Sequence, residues 1–362
     1  MTPKERFLAA IRKRQPDKVP VFDYLFSQDL FEYVLGIRPE VYDFKLAIDL
    51  AAALGHDAVW APNMTAASSK KDNAAQVYSD EWGTVYKKES ISWPSDAPID
   101  YPVKCRRDFE NLDIPDASLP ERYVSLEAAV KYAGEHGKIA VLGSLLGPFS
   151  LAWLLMGPEY LLLAMYKEPD LVDDIFKAYI RYALPCIRKN SECGIDGLII
   201  AEDLGYETGV FYSPELMREN LFPYLKEMAD EAHNLGLPVI LHCDGNVNAI
   251  LQDFVEIGFD ALHPLERKCH MNLREIKRKY GDKLCLIGNV DSCRTLAFGT
   301  LDEVEAETVN CLRDGAEGGG YVLASDHSLS MGIKIENVMK MYETHRKYGT
   351  YPIPLLDNKE QG

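Results

Sequence analysis

Short apolar runs recur along the chain, and each is followed by polar residues and then by a longer segment with helical periodicity. Continuous apolar runs of this length are typical of strands that are buried on both faces of a parallel sheet. Strands that alternate with helices indicate an α/β fold. The pattern therefore predicts one (β/α)8 TIM barrel over residues 1–362. The eight predicted strands are Val19–Phe22, Ala58–Trp60, Ile139–Leu142, Gly197–Ala201, Pro238–Leu241, Ala261–Leu265, Leu284–Ile287 and Tyr321–Ala324.

Helices are predicted before and between these runs. The first begins at Thr2 and Glu5, which have the spacing of a capping box, with Pro3 at the first helical position. Apolar periodicity predicts the later helices at Leu161–Arg188 (broken near Pro169), Ser213–Leu235, Leu273–Tyr280, Leu301–Leu312 and Ile335–Tyr348.

Residues 63–137 are too many for one connection between a strand and a helix, so we interpret them as an insertion after the second strand. Within the insertion, the segment Tyr78–Tyr86 predicts a hairpin. Two interpretations of this insertion remain: a lid over a binding site, and a structural flap without a chemical role. A doubly wound open sheet is the alternative to the barrel, but the chain lacks the GxGxxG and GxxxxGK[ST] motifs of nucleotide-binding sheets.

The formal net charge of −17 argues against nucleic acid and against an anionic membrane surface, because both are bound through Lys and Arg. No apolar run is long enough to cross a bilayer, and the first residues lack the apolar segment of a secretory signal. The eight cysteines include no CxxC pair, which is typical of reduced thiols. We therefore expect a cytoplasmic protein; its oligomeric state stays open, a homodimer included.

Polar residues directly follow six of the eight predicted strands. In a β/α barrel the segments after the strands build the active site, and its catalytic residues come from several strands. Stability alone would not place acids and histidines at the ends of apolar runs. The sequence therefore predicts an active site at this end of the barrel, with candidates Asp23, Glu202, Asp203, His242, Asp244, Glu266, Asn289, Asp291, Asp326 and His327.

Two metal-binding side chains follow the fifth run. Alternation along a strand directs His242 and Asp244 to one face and Cys243 to the other. With His327 from the eighth run, they would offer nitrogen and carboxylate ligands of the kind that suit zinc. The alternative is a hydrogen-bonded acid–base cluster of the same three residues without a metal.

Glu202 and Asp203 are adjacent, so only one of them can face into the barrel. A buried acid near other negative charges has a raised pKa and can act as a proton donor. The alternative for the outward-facing acid is a helix cap. His263 is expected to be a core histidine.

Substrate contacts are expected from aromatic and polar residues near the barrel mouth. Aromatic side chains can stack on a flat ring, although they serve about as often as core residues. Tyr206 lies in a segment with Gly205 and Gly209 that could fold over a ligand. The candidates are Asp23, Trp60, Trp82, Phe149, Tyr206 and Asn289.

The order and spacing of several short motifs resemble the uroporphyrinogen decarboxylase family over nearly the whole chain. The fold of this family is a (β/α)8 barrel, which agrees with the count of apolar runs. The motifs are Thr2–Phe7, Gly147–Phe149, Gly157–Glu159, Ser213–Glu215, His242–Asn246, Gly288–Asp291, Asp326–His327 and Glu336–Val338.

The resemblance implies two kinds of chemistry. The decarboxylases carry an arginine-rich segment after the first strand that grips substrate carboxylates, whereas residues 23–29 here contain no arginine. Other relatives are methyltransferases that work with a corrinoid protein, and those that act on thiols bind zinc through His-x-Cys and a later Cys. Here Asp244 stands at the first cysteine position and His327 near the second.

A harder ligand set of this kind resembles the relatives that take a methyl group from a methyl ether. The sequence thus predicts transfer of a methyl group from a small methylated donor, such as a methoxylated aromatic, to the cobalt of a partner corrinoid protein. His242, Asp244, His327 and one of Glu202 and Asp203 would polarise the leaving oxygen, with or without zinc. The alternatives are a metal-free decarboxylase acting on a smaller acid and a non-catalytic member of the family.

Overall fold

The computed structural model of the protein describes residues 1–61, 77–88 and 93–353. The described strands are β1 (Leu25–Phe26), β2 (Ala58–Trp60), β3 (Val77–Ser79), β4 (Val85–Lys87), β5 (Ala97–Asp100), β6 (Ala140–Leu146), β7 (Gly197–Ala201), β8 (Gly205–Tyr206), β9 (Gly209–Val210), β10 (Val239–His242), β11 (Ala261–His263), β12 (Cys285–Val290), β13 (Tyr321–Ser325) and β14 (Leu329–Ser330).

The described helices surround the main sheet or cap its ends. They are α1 (Pro3–Ile11), α2 (Gln28–Leu35), α3 (Phe44–Leu54), α4 (Arg106–Glu110), α5 (Val124–Glu135), α6 (Pro148–Met156), α7 (Pro158–Lys167), α8 (Pro169–Glu192), α9 (Pro214–Asn220), α10 (Phe222–Asn234), α11 (Leu251–Ile257), α12 (Leu273–Tyr280), α13 (Thr295–Phe298), α14 (Leu301–Gly315) and α15 (Ile335–Tyr348).

Seven of the eight predicted runs form one parallel sheet with the order β13-β12-β11-β10-β7-β6-β2. Both faces of these strands are buried, as their continuous apolar composition requires. Neighbouring strands follow each other in the chain, and the curled parallel sheet is like part of a TIM barrel. The predicted fold class is confirmed to that extent.

The first run, Val19–Phe22, does not form a full strand. It makes one parallel bridge, from Val21 to Leu323 of β13, and Val21 O accepts the N–H of Asp57 (2.8 Å) beside β2. Pro20 has no N–H to donate. The N–H of Val21 bonds to the Asp57 carboxylate (2.9 Å) instead of to a strand. The Asp57 carboxylate therefore replaces one backbone hydrogen bond of the strand that was expected between β13 and β2.

The Asp57 carboxylate is itself held by an arginine from the first helix. Arg6 Nη1 donates to Asp57 Oδ1 at 2.5 Å, and both side chains are buried. Helix α1 begins at the capping box that the sequence predicts, with Thr2 as the N-cap and Glu5 as its partner. The helix thus covers the amino-terminal end of the sheet and fixes the side chain that binds Val21.

The predicted helix Ser213–Leu235 is two helices, α9 and α10, which are separated at Leu221. Pro223 lies in the first turn of α10. Proline has no N–H to bond to the preceding turn, so it cannot continue a helix through Leu221, but it fits the first turn of a new one. The predicted break near Pro169 is confirmed, because α7 ends at Lys167 and α8 begins at Pro169.

The insertion contains a three-stranded antiparallel sheet, β3-β4-β5. Pairing of β3 with β4 confirms the predicted hairpin. Buried Arg122 forms an ion pair with Glu81 of this hairpin, and Trp82 packs edge-on against Tyr182 of α8 (ring centroids 5.1 Å apart). The described part of the insertion is therefore packed against the helical layer. Of the predicted insertion, residues 63–76 and 89–92 lie outside the described residues.

In the described part of the chain, no single helix is long and apolar enough to span a membrane. Helices α6 and α7 reach such a length only when they are taken together, and a bend of 112° separates them.

Two buried histidines connect helix α15 to the barrel. His345 Nε2 lies 2.7 Å from Val19 O, and His56 Nε2 lies 2.8 Å from the Tyr342 hydroxyl. Burial lowers the pKa of His345 to about 4 and that of His56 to about 3. Both rings are therefore neutral in the folded protein at neutral pH.

We predict that the His345→Gln variant loses less stability than the wild type when the pH falls from 7 to 4. The unfolded chain protonates His345 near pH 6.5, whereas the folded protein does so only near pH 4. Its stabilising effect is thus present above about pH 6.5 and falls by about 3 kcal/mol as the pH drops to 4. Gln keeps a donor at the Nε2 position without titrating in this range.

The measurement is the free energy of unfolding in urea between pH 7 and 4. Asp23 and Glu202, whose pKa values burial raises to about 7 and 8, act in the opposite direction. The test is therefore the difference between wild type and variant at each pH, with exposed His136→Gln as the control. Parallel curves for wild type and His345→Gln would contradict the prediction.

Candidate active site

The candidate site lies where four strands of the main sheet end. His242 and His263 are the last residues of β10 and β11, and they are direct partners in the parallel register. Asp203 follows β7 by two residues, and His327 follows β13 by two. Parallel strands bring their carboxyl ends to one edge, so residues that are far apart in sequence meet there.

Asp244 is the centre of this cluster. Its Oδ2 lies 3.1 Å from His327 Nε2, and its Oδ1 lies 3.7 Å from His242 Nε2. Its backbone N–H donates to Asp203 Oδ1 at 3.1 Å. The four side chains therefore form one connected polar cluster, with an acid on each side of His242.

Two close backbone contacts fix the position of Asp244. Gly245 has a positive φ of 83°, and a Cβ atom there would lie 2.2 Å from the backbone of Gly205. Only glycine permits both the conformation and this approach. The N–H of Gly245 donates to Glu266 Oε2 at 2.7 Å. The segment after β10 is thus held between the segments that follow β7 and β11.

The ion pair of Asp244 with His327 changes the pKa of both groups. Burial alone would raise the pKa of Asp244, but His242 and His327 hold it well below its usual range. Burial alone would lower the pKa of His327, but Asp244 raises it to about 9. Desolvation and the charge of Asp244 raise the pKa of Asp203, whose side chain is the solvent-exposed member of the cluster.

The cluster offers a cation site that differs from the predicted one. One ligand atom each from Asp203, His242 and Asp244 lies within 4.8 Å of the others, and this is the one such group of three found among the described residues. His327 instead pairs with the second oxygen of Asp244. Asp244 Oδ1 is buried and has no hydrogen-bond partner in the part of the chain that the structure describes, which is costly unless a cation or a proton donor binds it. The oxygen and nitrogen donors fit zinc.

Neither nearby cysteine faces the cluster. Cys243 is buried on the opposite face of its strand, accepts the N–H of Leu204 (3.4 Å), and has a pKa that burial raises. The buried Cys269 thiol donates to Glu266 at 3.2 Å. Within the described ranges, the candidate ligands are therefore carboxylates and imidazole, without a thiolate.

Of the two adjacent acids, Asp203 joins the cluster and Glu202 faces helix α6. Glu202 is fully buried and accepts the backbone N–H groups of Phe149 (2.9 Å) and Ser150 (2.8 Å). A Cβ atom at Gly147 would lie 2.3 Å from this carboxylate, so glycine is required there. Burial raises the pKa of Glu202 to about 8, against the two N–H groups, which lower it. Its contacts are those of a helix cap.

An aromatic wall borders the cluster. The Tyr24 ring lies edge-on to His242 (centroids 5.4 Å apart) and to Trp60 (5.6 Å), and it stacks on Phe26 (5.2 Å). Tyr42 lies 5.5 Å from Trp60. Trp60 donates its indole N–H to Ser144, whereas the hydroxyl of buried Tyr24 makes no hydrogen bond to a described residue.

Sequence reasoning identified Trp60 in this wall but missed Tyr24, Phe26 and Tyr42. Tyr24 and Phe26 alternate directly after the first run, which is the pattern of residues that share one face of an extended segment. That signal was available in the sequence. The approach of Tyr42 to the mouth depends on the loop between α2 and α3 and has no comparable signal.

The other predicted substrate contacts lie in several environments. Asp23 is buried and accepts hydrogen bonds from Ser325 and from the Tyr342 hydroxyl. Asn289 is buried and donates to two backbone carbonyls, those of Leu265 and Met271. These two side chains stabilise the barrel end from within. Trp82 and Phe149 are core residues, whereas Tyr206 is 48% exposed near the mouth.

A cavity of about 660 Å³ opens at the other end of the barrel, beside Thr2, Arg12 and Lys138. It borders the start of β6 and the segment that precedes β7, at the opposite ends of these strands from the acid–histidine cluster. In β/α barrels the amino-terminal face serves stability, whereas chemistry occurs at the opposite face. The cluster therefore remains the candidate active site.

Residues 91–348 match the model of the uroporphyrinogen decarboxylase (URO-D) family. The chain is 26% identical over 357 residues to a methylcobamide:CoM methyltransferase of Methanosarcina barkeri, covering 96% of this chain and 98% of the relative. It is 28% identical over 364 residues to a methylcobamide:CoM methyltransferase of Methanosarcina mazei, with the same coverage.

The fold is similar to that of a solved methyltransferase from Methanosarcina mazei. The two structures superpose with a TM-score of 0.76 at 25% sequence identity, covering 96% of this chain and 99% of the other. The resemblance inferred from the short motifs, to the family and to its corrinoid-linked branch, is confirmed.

We predict that Glu202→Gln destabilises the fold, whereas Asp203→Asn does not to the same degree. The amide group of Gln would direct its own N–H at one of the backbone donors of α6, leaving that N–H unpaired. The expected loss in the free energy of unfolding is about 1–3 kcal/mol. Asn at position 203 keeps the oxygen that accepts the Asp244 N–H.

Urea denaturation of both variants measures this difference. The two acids are neighbours in sequence, so each variant is a matched control for the other. If Glu202→Gln had the stability of the wild type and lost only activity, Glu202 would be a catalytic acid rather than a cap.

Proposed function

The chain belongs to the uroporphyrinogen decarboxylase family, and on that premise we propose that it is a corrinoid-linked methyltransferase. In this proposal, it moves a methyl group from a small methylated donor, such as an aromatic methyl ether, to the cobalt of a partner corrinoid protein. One observation carries the choice of donor. Asp244 joins two imidazoles at the barrel mouth, and no thiolate accompanies them among the described residues.

The two named relatives are methyltransferases for methylcobamide and CoM, and the family resemblance implies that members acting on thiols bind zinc through thiolates. A zinc ion with thiolate ligands is electron-rich and suits an attacking thiolate. Carboxylate and imidazole ligands leave more positive charge on the ion, which suits a leaving oxygen. The exchange of thiolate for carboxylate at Asp244 therefore favours an oxygen-linked methyl donor.

Asp203, His242 and Asp244 would hold the zinc ion, because their ligand atoms converge and Asp244 Oδ1 accepts no hydrogen bond from the described residues. When bound, the ion would act as a Lewis acid on the donor oxygen. This ligand set replaces the predicted set of His242, Asp244 and His327. It leaves His327 available as a hydrogen-bond donor.

His327 and Tyr24 would act directly on the donor. In the proposed step the oxygen–methyl bond breaks, the methyl group goes to the reduced cobalt of the partner, and the bonding electron pair stays on oxygen. His327 Nε2, whose proton is shared with Asp244 at 3.1 Å, supplies the proton to that oxygen. The edge of Trp60 and the hydroxyl of Tyr24 orient the ring of the donor.

The corrinoid partner would cover the barrel mouth. Transfer by in-line attack requires the acceptor atom to come close to the methyl carbon, so the donor must lie between the cluster and the partner. Exposed Tyr206 borders this opening. We further propose that Val19–Phe22 completes a (β/α)8 barrel. This segment bridges to Leu323 of β13 on one side and accepts the N–H of Asp57, next to β2, on the other.

We predict that the purified protein binds about one zinc ion per chain and that His242→Ala loses it. Removal of one of the three protein ligands lowers the affinity strongly, because only two would remain to hold the ion. Elemental analysis after dialysis measures the content, with His136→Ala as a control for surface histidines. Equal, negligible zinc in wild type and His242→Ala would leave an acid–base cluster without a metal.

We also predict methyl transfer that depends on His327. The protein, a reduced corrinoid protein and a methoxylated aromatic should produce methyl-cobalt, seen as a change in the absorption spectrum. His327→Gln should lower kcat by roughly 100-fold or more with little change in KM, because Gln can bond to Asp244 but cannot donate a full proton. Asp244→Asn should act in the same direction.

An increase in KM with kcat unchanged would make His327 a positioning residue and contradict this mechanism. Methyl transfer to an added thiol from methylated corrinoid, without reaction of any ether, would favour the direction of the named relatives. Release of carbon dioxide from a carboxylate substrate without corrinoid protein would instead support a decarboxylase.

A further inference from the structure

His263 is fully buried beside the candidate site, and the only hydrogen bond of its ring within the described residues is to His242. The two Nδ1 atoms lie 2.7 Å apart, and the ring centroids are 5.0 Å apart. Tyr24 and Phe22 pack edge-on against the His263 ring at 5.2 and 5.7 Å. An aromatic environment of this kind keeps the His263 ring neutral.

A hydrogen bond between two Nδ1 atoms requires a proton on one of them and a free lone pair on the other. If His263 donates, His242 accepts at Nδ1 and its own proton must stay on Nε2. Nε2 then cannot bind a cation. If His242 donates, Nε2 of His242 is free to carry either a second proton or a metal ion.

The proposed cation site selects the second arrangement. Nε2 of His242 faces Asp244 Oδ1 at 3.7 Å, and Asp203 lies within the same cluster. Asp244 Oδ1 is buried and lacks a hydrogen-bond partner among the described residues. A cation held by these two acids would bind the lone pair of Nε2. Nε2 has that lone pair only if His242 carries its proton on Nδ1 and donates it from there.

We infer that His263 is a positioning residue that accepts the Nδ1–H of His242 and keeps Nε2 of His242 directed at Asp203 and Asp244. His263 must then carry its single proton on Nε2, which is the buried nitrogen without a partner. Partners of this kind orient the histidine ligands of metal sites and fix their tautomer. The inference rests on the proposed function, because a cation bound at Nε2 is what requires His242 to donate from Nδ1.

Nitrogen NMR of the protein labelled with ¹⁵N-histidine tests the direction of this bond without metal or substrate. Long-range ¹H–¹⁵N correlations identify which ring nitrogen of each histidine is protonated, and His263→Asn and His242→Asn assign the signals. We expect His263 to be protonated at Nε2 and to accept at Nδ1. A proton on His263 Nδ1 would overturn the inference.

Zinc affinity, measured by competition with a chelator, tests the consequence. His263→Leu should weaken binding by roughly 10–100-fold. His263→Asn should recover much of the loss, because its amide oxygen can occupy the position of Nδ1 and accept the same proton. The control is His56→Asn. His56 is another buried histidine, and its ring bonds to Tyr342 and not to any residue of the cluster.

Thermal unfolding of each variant separates loss of the site from loss of the fold. Equal zinc affinity in folded His263→Leu and wild type would overturn the positioning role. Absence of zinc binding by the wild type would overturn the metal part of the proposed function alone, and the NMR spectra would still uphold or overturn the assignment of His263.

Discussion

The carboxylate of Asp244 is the constraint on which the site depends. A largely buried carboxylate is stable only if charged or hydrogen-bonded partners surround it. His327 satisfies one oxygen, and His242 faces the other at 3.7 Å. His242 is the last residue of β10, and His327 follows β13, which lies at one edge of the sheet with two strands between them, so these strands must keep a fixed relation for the carboxylate to stay ionised. The close contact of Gly245 with Gly205 and the hydrogen bond from the Gly245 N–H to Glu266 hold the Asp244 segment between the segments that follow β7 and β11.

Side chains perform a similar role where the backbone ladder of the barrel is incomplete. Pro20 interrupts the first run, and the Asp57 carboxylate accepts the N–H of Val21 that a regular strand would use. Asp23 ties the end of the same run to Ser325. These two buried acids join the edge strands of the sheet, so they influence the mouth by keeping the aromatic residues after the first run in position.

Much of the fold followed from the apolar runs, because strands buried on both faces leave an unambiguous pattern in a sequence. Seven of the eight runs are strands, and the exception, Val19–Phe22, contains Pro20, which has no N–H to donate to a ladder. The helix predicted through Leu221 failed for a similar reason, since Pro223 imposes a new first turn.

The members of the site were predictable from strand ends, but their pairing was not. Alternation placed His242 and Asp244 on one face, as the structure has them. It could not show that Glu202 rather than Asp203 reaches α6, because that depends on the absence of a side chain at Gly147. His263 was expected to be a core histidine, and its contact with His242 arises from the register of β10 and β11, which the sequence does not encode locally.

The distribution of protons in the cluster bears on the direction of the proposed reaction. Activation of a thiol requires a group that takes up its proton, whereas cleavage of an ether requires one that supplies it. The Asp244 ion pair keeps His327 protonated, since it raises the His327 pKa to about 9. Before the reaction, His327 therefore carries a proton that it can donate, and it does so beside the aromatic residues at the mouth. A thiol substrate would meet no unoccupied base among Asp244 and His327, so the same residues that stabilise the carboxylate favour removal of a methyl group from oxygen.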